Sequence, residues 1–272
     1  MSIKNILCAY SGESAKSSGL HHAIRLAQHH GAWLTGVIPH GRPFLESRFA
    51  GQVTDDILRT LQEADDQHIA GIRARFAEEV AAAGLSERSE FVELDTRGGD
   101  SVEAFARGFD QVVAGVHTDV ASAGHLSAHP DQIALTSGRP VLVVPDGYES
   151  EGLADHAIVA WDGKRSAARA LGDAMPILEE KASVTILTVG SSPVHGVDRI
   201  VQNLHRHGIS AEHLNKPRHK TVAHTLLETA DEIGAKLIVM GAFEHSKFHH
   251  DLLGGVTTDV MRDAKVPVFM SH

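Results

Sequence analysis

The sequence predicts an α/β protein built from two tandem, doubly wound domains, each with a five-stranded parallel sheet. Three observations lead there. Short apolar, β-branched runs alternate with longer amphipathic stretches along the chain, and near-continuous apolar runs mark strands covered on both faces. That alternation occurs twice, with matching punctuation. The length of 272 residues, with 42% hydrophobic and 22% charged residues, suits one large or two small globular domains. Disorder, collagen-like repeats and a disulfide scaffold are excluded by the same figures.

In the first copy, strands are predicted at Ile6-Leu7-Cys8-Ala9, Leu34 to Ile38, Phe91 to Leu94, Val112-Val113-Ala114 and Val141 to Val144. In the second they fall at Ala157 to Ala160, Val184 to Val189, Ser210 to Leu214, Leu237 to Met240 and Val268 to Met270. Helical periodicity separates them. Val222, Leu226, Leu227, Ala230 and Ile233 form one apolar stripe at helical spacing. The copies align by Leu7 to Gly12 against Ile158 to Gly163, by Val113-Ala114-Gly115 against Val239-Met240-Gly241, and by Arg139-Pro140-Val141 against Val266-Pro267-Val268. Gly115 precedes Pro140 by 25 residues and Gly241 precedes Pro267 by 26. The first copy is longer between residues 40 and 84, where a long loop precedes a helix from about Asp55 to Ala83; the second has only Val197 to His207 there. Turn formers from Pro145 through Ala154 supply the linker. The expected domains are therefore residues 1–147 and 154–272.

The net charge of −10 argues against a nucleic-acid partner, which would need a broad basic face. Cys8 is the single cysteine, so no internal disulfide can form, which fits a reducing, cytoplasmic location. No signal peptide and no run of about 18 apolar residues is present, so no membrane association is expected. The oddity is 20 histidines, more than Phe, Trp and Tyr together.

A doubly wound sheet binds ligands beyond the carboxyl ends of its strands, where the strand order reverses. The residues following strands one and four carry a resemblance. Val159-Ala160-Trp161-Asp162-Gly163 with Ala167 to Leu171, then Val239 to Lys247 running on to Leu253-Gly254-Gly255-Val256-Thr257, and the closing Val266 to Met270 resemble the universal stress protein family in its tandem, two-domain form. The resemblance implies the adenine nucleotide alpha hydrolase-like fold with strand order 3-2-1-4-5. It also implies fifth strands paired edge to edge as an intramolecular pseudo-dimer, which would cover both exposed edges. Further association into a homodimer is left open.

Nucleotide-binding members hold phosphates in a Gly-x2-Gly-x9-Gly-Ser/Thr loop after strand four, where small residues let backbone N–H groups and a helix N-terminus approach the anion. On this sequence, Asp162 and Ala160 match the nucleoside side, Val189 the adenine side, and Met240, Gly241, Gly254, Val256 and Thr257 the phosphate loop. Two positions depart. Gly255 stands where a hydroxyl is expected, though its N–H can still donate. Glu244 stands in place of the second glycine, and two unit charges 4 Å apart at an effective dielectric near 20 repel by roughly 4 kcal/mol. Each position also has a plainer reading: Asp162 as a turn and capping residue, Gly254, Gly255 and Thr257 as the tight entry to the last helix.

In the first copy Ser11 replaces the aspartate and residues 115–130 lack a glycine cradle, so its ligand site is read as degenerate. The implied function is a stress-response protein whose second domain binds ATP or another adenine nucleotide weakly. A nucleotide-independent structural or interaction protein is the alternative. His245, His249 and His250, with Asp251 and Glu244, and His117, His125 and His129 in the other copy leave a third reading as a metal-binding or hydrolytic protein. Those loops are taken as solvated, and no metal is expected. His21-His22, His29-His30 and His205-x-His207 are expected on solvated helix faces or ends. Neither a Gly-x-Ser-x-Gly elbow nor a Gly-x4-Gly-Lys-Ser/Thr loop is present, so no catalytic constellation is recognised. Slow ATP hydrolysis is not excluded.

Overall fold

The structure, a computed structural model, describes residues 3–12, 17–42, 54–116, 126–150, 152, 155–242 and 255–272. The elements run β1 (Asn5–Ala9), α1 (Ser18–His30), β2 (Trp33–His40), α2 (Asp55–Ala82), β3 (Ser89–Asp95), α3 (Val102–Ala106), β4 (Gln111–Gly115), α4 (Pro130–Thr136) and β5 (Val141–Val144). The second half continues with β6 (His156–Ala160), α5 (Arg165–Leu178), β7 (Ser183–Val189), α6 (Val197–Arg206), β8 (Ala211–Lys216), α7 (Val222–Glu232), β9 (Leu237–Gly241), α8 (Val256–Asp263) and β10 (Val268–Ser271). Every expected strand is present. The first half's extra length becomes the 28-residue helix α2, against 10 residues in α6.

All ten strands join in one sheet, ordered β3-β2-β1-β4-β5-β10-β9-β6-β7-β8. Read outward-in, each half has the order 3-2-1-4-5. Pairing within each half is parallel, as crossover helices require. The seam is antiparallel: Val268 faces Val143, Phe269 faces Leu142 and Met270 faces Val141. The two strands that would each be an exposed apolar edge cover one another, with Phe269 fully buried at the centre.

Period-two alternation sends side chains to two core layers. Ile6 and Cys8 face the layer under α1, α2 and α5, whereas Leu7 and Ala9 face the layer under α3, α4, α7 and α8. Each layer takes residues from both halves, so the seam lies inside a shared core. On α7 the buried face is Ala223, Leu226 and Ala230 with Thr225 and Thr229. The two threonine hydroxyls are satisfied by backbone carbonyls: Thr229 Oγ1 donates to Thr225 O at 2.7 Å and Thr225 Oγ1 to Thr221 O at 3.0 Å.

The solvated reading of His22 and His30 does not hold. His22 is buried in α1, and the His30 side chain is only 5% exposed. His22, Leu26 and His30 follow one another at i+4, and that stripe of α1 faces the second half across the seam, where all three line one cleft. Among the described residues, no helix is long and apolar enough to cross a membrane.

Candidate functional site

Parallel register brings the candidate residues of the second half to one end of the sheet. Val159 pairs with Val239 and Ala160 with Leu187. Continuing that register, Gly241 lies level with Trp161, and Val189 level with Asp162. The pairing of β6 and β7 extends one residue further, since Trp161 N–H donates to Leu187 O at 2.8 Å. Ala160, Asp162, Val189 and Gly241 thus occupy the carboxyl edge of three neighbouring strands.

Asp162 is half exposed and organises its own turn. Its Oδ1 accepts the Lys164 N–H at 3.0 Å, and its Oδ2 lies 3.8 Å from Lys164 Nζ. This is an Asx turn into α5, made possible by Gly163 at φ +79°. Beside it, the buried Trp161 ring leaves its Nε1–H without a hydrogen-bond partner. Met240 is committed to the core, so only its backbone is available at the edge.

Gly241 has a packing reason to be glycine. A β-carbon there would stand 2.5 Å from the Ser166 carbonyl carbon and 2.6 Å from Ala167 N, closer than real side chains approach. The first turn of α5 therefore rests directly on the end of β9. Gly255 is different. It precedes α8 at φ 168°, an extended conformation open to any residue, and no described residue would lie within 4 Å of a β-carbon there. Gly255 is the N-cap of α8 and has no side chain with which to cap it. Val256 is exposed, and Thr257 is buried in the first turn. Glu244, Gly254 and the histidines at 245, 249 and 250 lie outside the described residues, as do His117 and His125.

The first half holds a small open cleft, with about 30 Å³ accessible to water, at the equivalent edge, lined by Tyr10, Ser11, Ser17, Gly19, Gly115 and Asp146 among others. Here the close approach of helix to strand is made with a glycine on each side: a β-carbon on Gly19 would stand 2.8 Å from Gly115 N. Ser11 Oγ is buried without a hydrogen-bond partner, and Tyr10 Oη lies 3.1 Å from Ser17 Oγ. Ser17 itself sits at φ +44°, an uncommon conformation for a residue with a side chain. Replacement of the aspartate by Ser11 is legible in the sequence; the cleft is not, because it depends on the packing of Gly19 against Gly115.

Two histidine clusters also went unseen in the sequence. His29, His30 and Glu180 converge across the seam, and His219, His224 and Glu228 converge at the start of α7. The Glu228 carboxyl is held below its ordinary range, first by the His219 hydrogen bond at 3.1 Å. Of these contacts, the i, i+4 spacing of His224 and Glu228 and the adjacency of His29 and His30 are legible in the sequence; their meeting with His219 and Glu180 is not.

Comparison with known proteins bears on the whole arrangement. Residues 215–272 match the model of the universal stress protein family. The universal stress protein Slr1230 of Synechocystis is 27% identical over 180 residues, covering 62% of this chain and 60% of that protein, so the chain spans less than two thirds of that relative's length. A universal stress protein from Archaeoglobus fulgidus superposes with a TM-score of 0.73 at 18% identity, covering 98% of this chain and 96% of that one. PA1789, a functionally unknown protein from Pseudomonas aeruginosa PAO1, does so at 0.57 and 13% identity, covering 99% of this chain and 92% of that one. The two structural likenesses establish the shared fold. With the family model matched over residues 215–272 and the Synechocystis relative, the chain is similar to universal stress proteins, and its last quarter carries their family pattern.

Proposed function

We propose that the second half binds an adenine nucleotide, ATP foremost, at the carboxyl edge of its strands, and that the protein acts in the stress response as a nucleotide-binding module. Asp162 would contact the nucleoside, Ala160 and Val189 the base side, and the start of α8 the phosphates. The observation that carries this is Gly255. Its extended φ does not call for glycine, no described residue would lie within 4 Å of a β-carbon there, and as the N-cap of α8 it lets an anion approach the backbone closely. The residues present fit an anion at that point. The acidic Glu244 keeps the expected affinity weak.

A nucleotide-independent interaction protein is favoured by a different observation. Asp162 and Gly241 both have local structural reasons, one in its turn and one under α5. Calorimetric titration with ATP separates the two readings. Binding at or below millimolar concentration, weakened about tenfold or more by Asp162→Ala, supports nucleotide recognition. No binding at millimolar ATP by the wild type or by Glu244→Gly refutes it.

A further inference from the structure

Across the seam, the last turn of α1 faces the residues that follow α5. His29 Nε2 lies 2.8 Å from Glu180 Oε2, and His30 Nδ1 lies 3.8 Å from Glu180 Oε1. One carboxylate from the second half thus presents one oxygen to each of two imidazoles from the first. The ligand atoms of all three residues lie within 4.8 Å of one another. Bonds of 2.0–2.2 Å to a tetrahedral zinc would separate neighbouring ligand atoms by about 3.3 Å. The observed separations bracket that value.

His30 is the telling member. Its side chain is 95% buried; Nδ1, the nitrogen that faces Glu180, lies 3.8 Å from the carboxylate, too far for a hydrogen bond, and the buried Nε2 on the other side of the ring has no partner either. A buried imidazole normally owes its place to hydrogen bonds, and here the protein supplies none. Gly31 closes α1 at φ +60°, and its N–H donates to Ala27 O, which fixes the helix end that carries both rings. The rings meet edge to face with centroids 4.9 Å apart. His30 and Glu180 line a cleft between the halves with about 20 Å³ open to water, room for a water as fourth ligand.

We propose that His29, His30 and Glu180 form a site for Zn²⁺ or a similar borderline divalent transition metal, clamping the two halves of the chain together. Two imidazoles and one carboxylate suit zinc rather than calcium or magnesium, which take oxygen ligands. Lys4, whose Nζ donates to His30 O at 3.0 Å, and the neighbouring Lys181 oppose a cation by charge. Their presence calls for a metal held by covalent character in its nitrogen bonds rather than by charge alone. The site is independent of nucleotide binding and involves none of the residues assigned to it.

The test is calorimetric titration of ZnCl2 into the untagged, chelator-treated full chain, alongside Glu180→Gln, His29→Ala and the double variant His219→Ala/His224→Ala. His29 and Glu180 are surface side chains, so neither substitution threatens the core, and circular dichroism checks folding. The wild type and the double variant should share a zinc site whose affinity falls at least about tenfold in Glu180→Gln and in His29→Ala. Zinc should raise the thermal midpoint of the wild type and of the double variant, but not that of Glu180→Gln. Absence of binding, binding abolished only by the double variant, or a loss smaller than tenfold at Glu180 and His29 overturns the proposal.

Discussion

Gly241 touches Ser166 so closely that a β-carbon would stand 2.5 Å from the Ser166 carbonyl carbon, and the pair of backbones welds α5 to the end of β9. The same junction in the first half is made by Gly19 against Gly115. Close helix-to-strand approach beside the ligand edge is therefore a property of the fold in both halves. Gly241→Ala should overpack this junction and destabilise the protein by about 1–3 kcal/mol. Urea denaturation measures it. Gly255→Ala, by contrast, should leave stability within about 0.5 kcal/mol of wild type while weakening any ATP binding.

Burial, helped by Lys181 and Arg25, lowers the His22 pKa from 6.5 to about 4. Between those values the unfolded chain binds a proton that the folded one refuses. Stability from this group is complete above pH 6.5 and declines as the pH falls toward 4, by about 3 kcal/mol in all. His22→Leu should remove that part of the acid sensitivity. Denaturant midpoints of the two proteins at pH 7 and pH 5 provide the comparison, and parallel losses in both would refute the assignment.

Cys8 sits in the centre of β1 with its thiol pushed up to about 12 by burial. Thiolate is the reactive form. Iodoacetamide should leave the native protein unlabelled at pH 8 and modify Cys8 fully in guanidinium chloride, as mass spectrometry would read directly.

The seam should make the two halves unfold together. Both core layers cross it, and Phe269 is fully buried opposite Leu142. Tryptophan fluorescence, from Trp33 in the first half and Trp161 in the second, and circular dichroism should give coincident denaturation curves. Phe269→Ala should cost about 3–5 kcal/mol and shift both signals equally. Two separate transitions in the wild type would contradict a shared core.

The apolar runs and their duplication determined the ten strands, the long second crossover of the first half, and the end of the sheet where the candidate residues gather. Those features are local: hydrophobic period, turn formers and spacing are written along the chain. The sequence alone also carried the family resemblance through Asp162, Gly241, Gly254 and Thr257. Tertiary structure decided what the chain order conceals. It separated Gly241, forced by the approach of α5, from Gly255, which no described residue crowds. It placed His22 and His30 inside, because the stripe they share with Leu26 meets the second half instead of water. It also set Glu180 against His29, a neighbour 151 positions away. Such pairings depend on the antiparallel meeting of β5 and β10, and no window of sequence contains both sides of that seam.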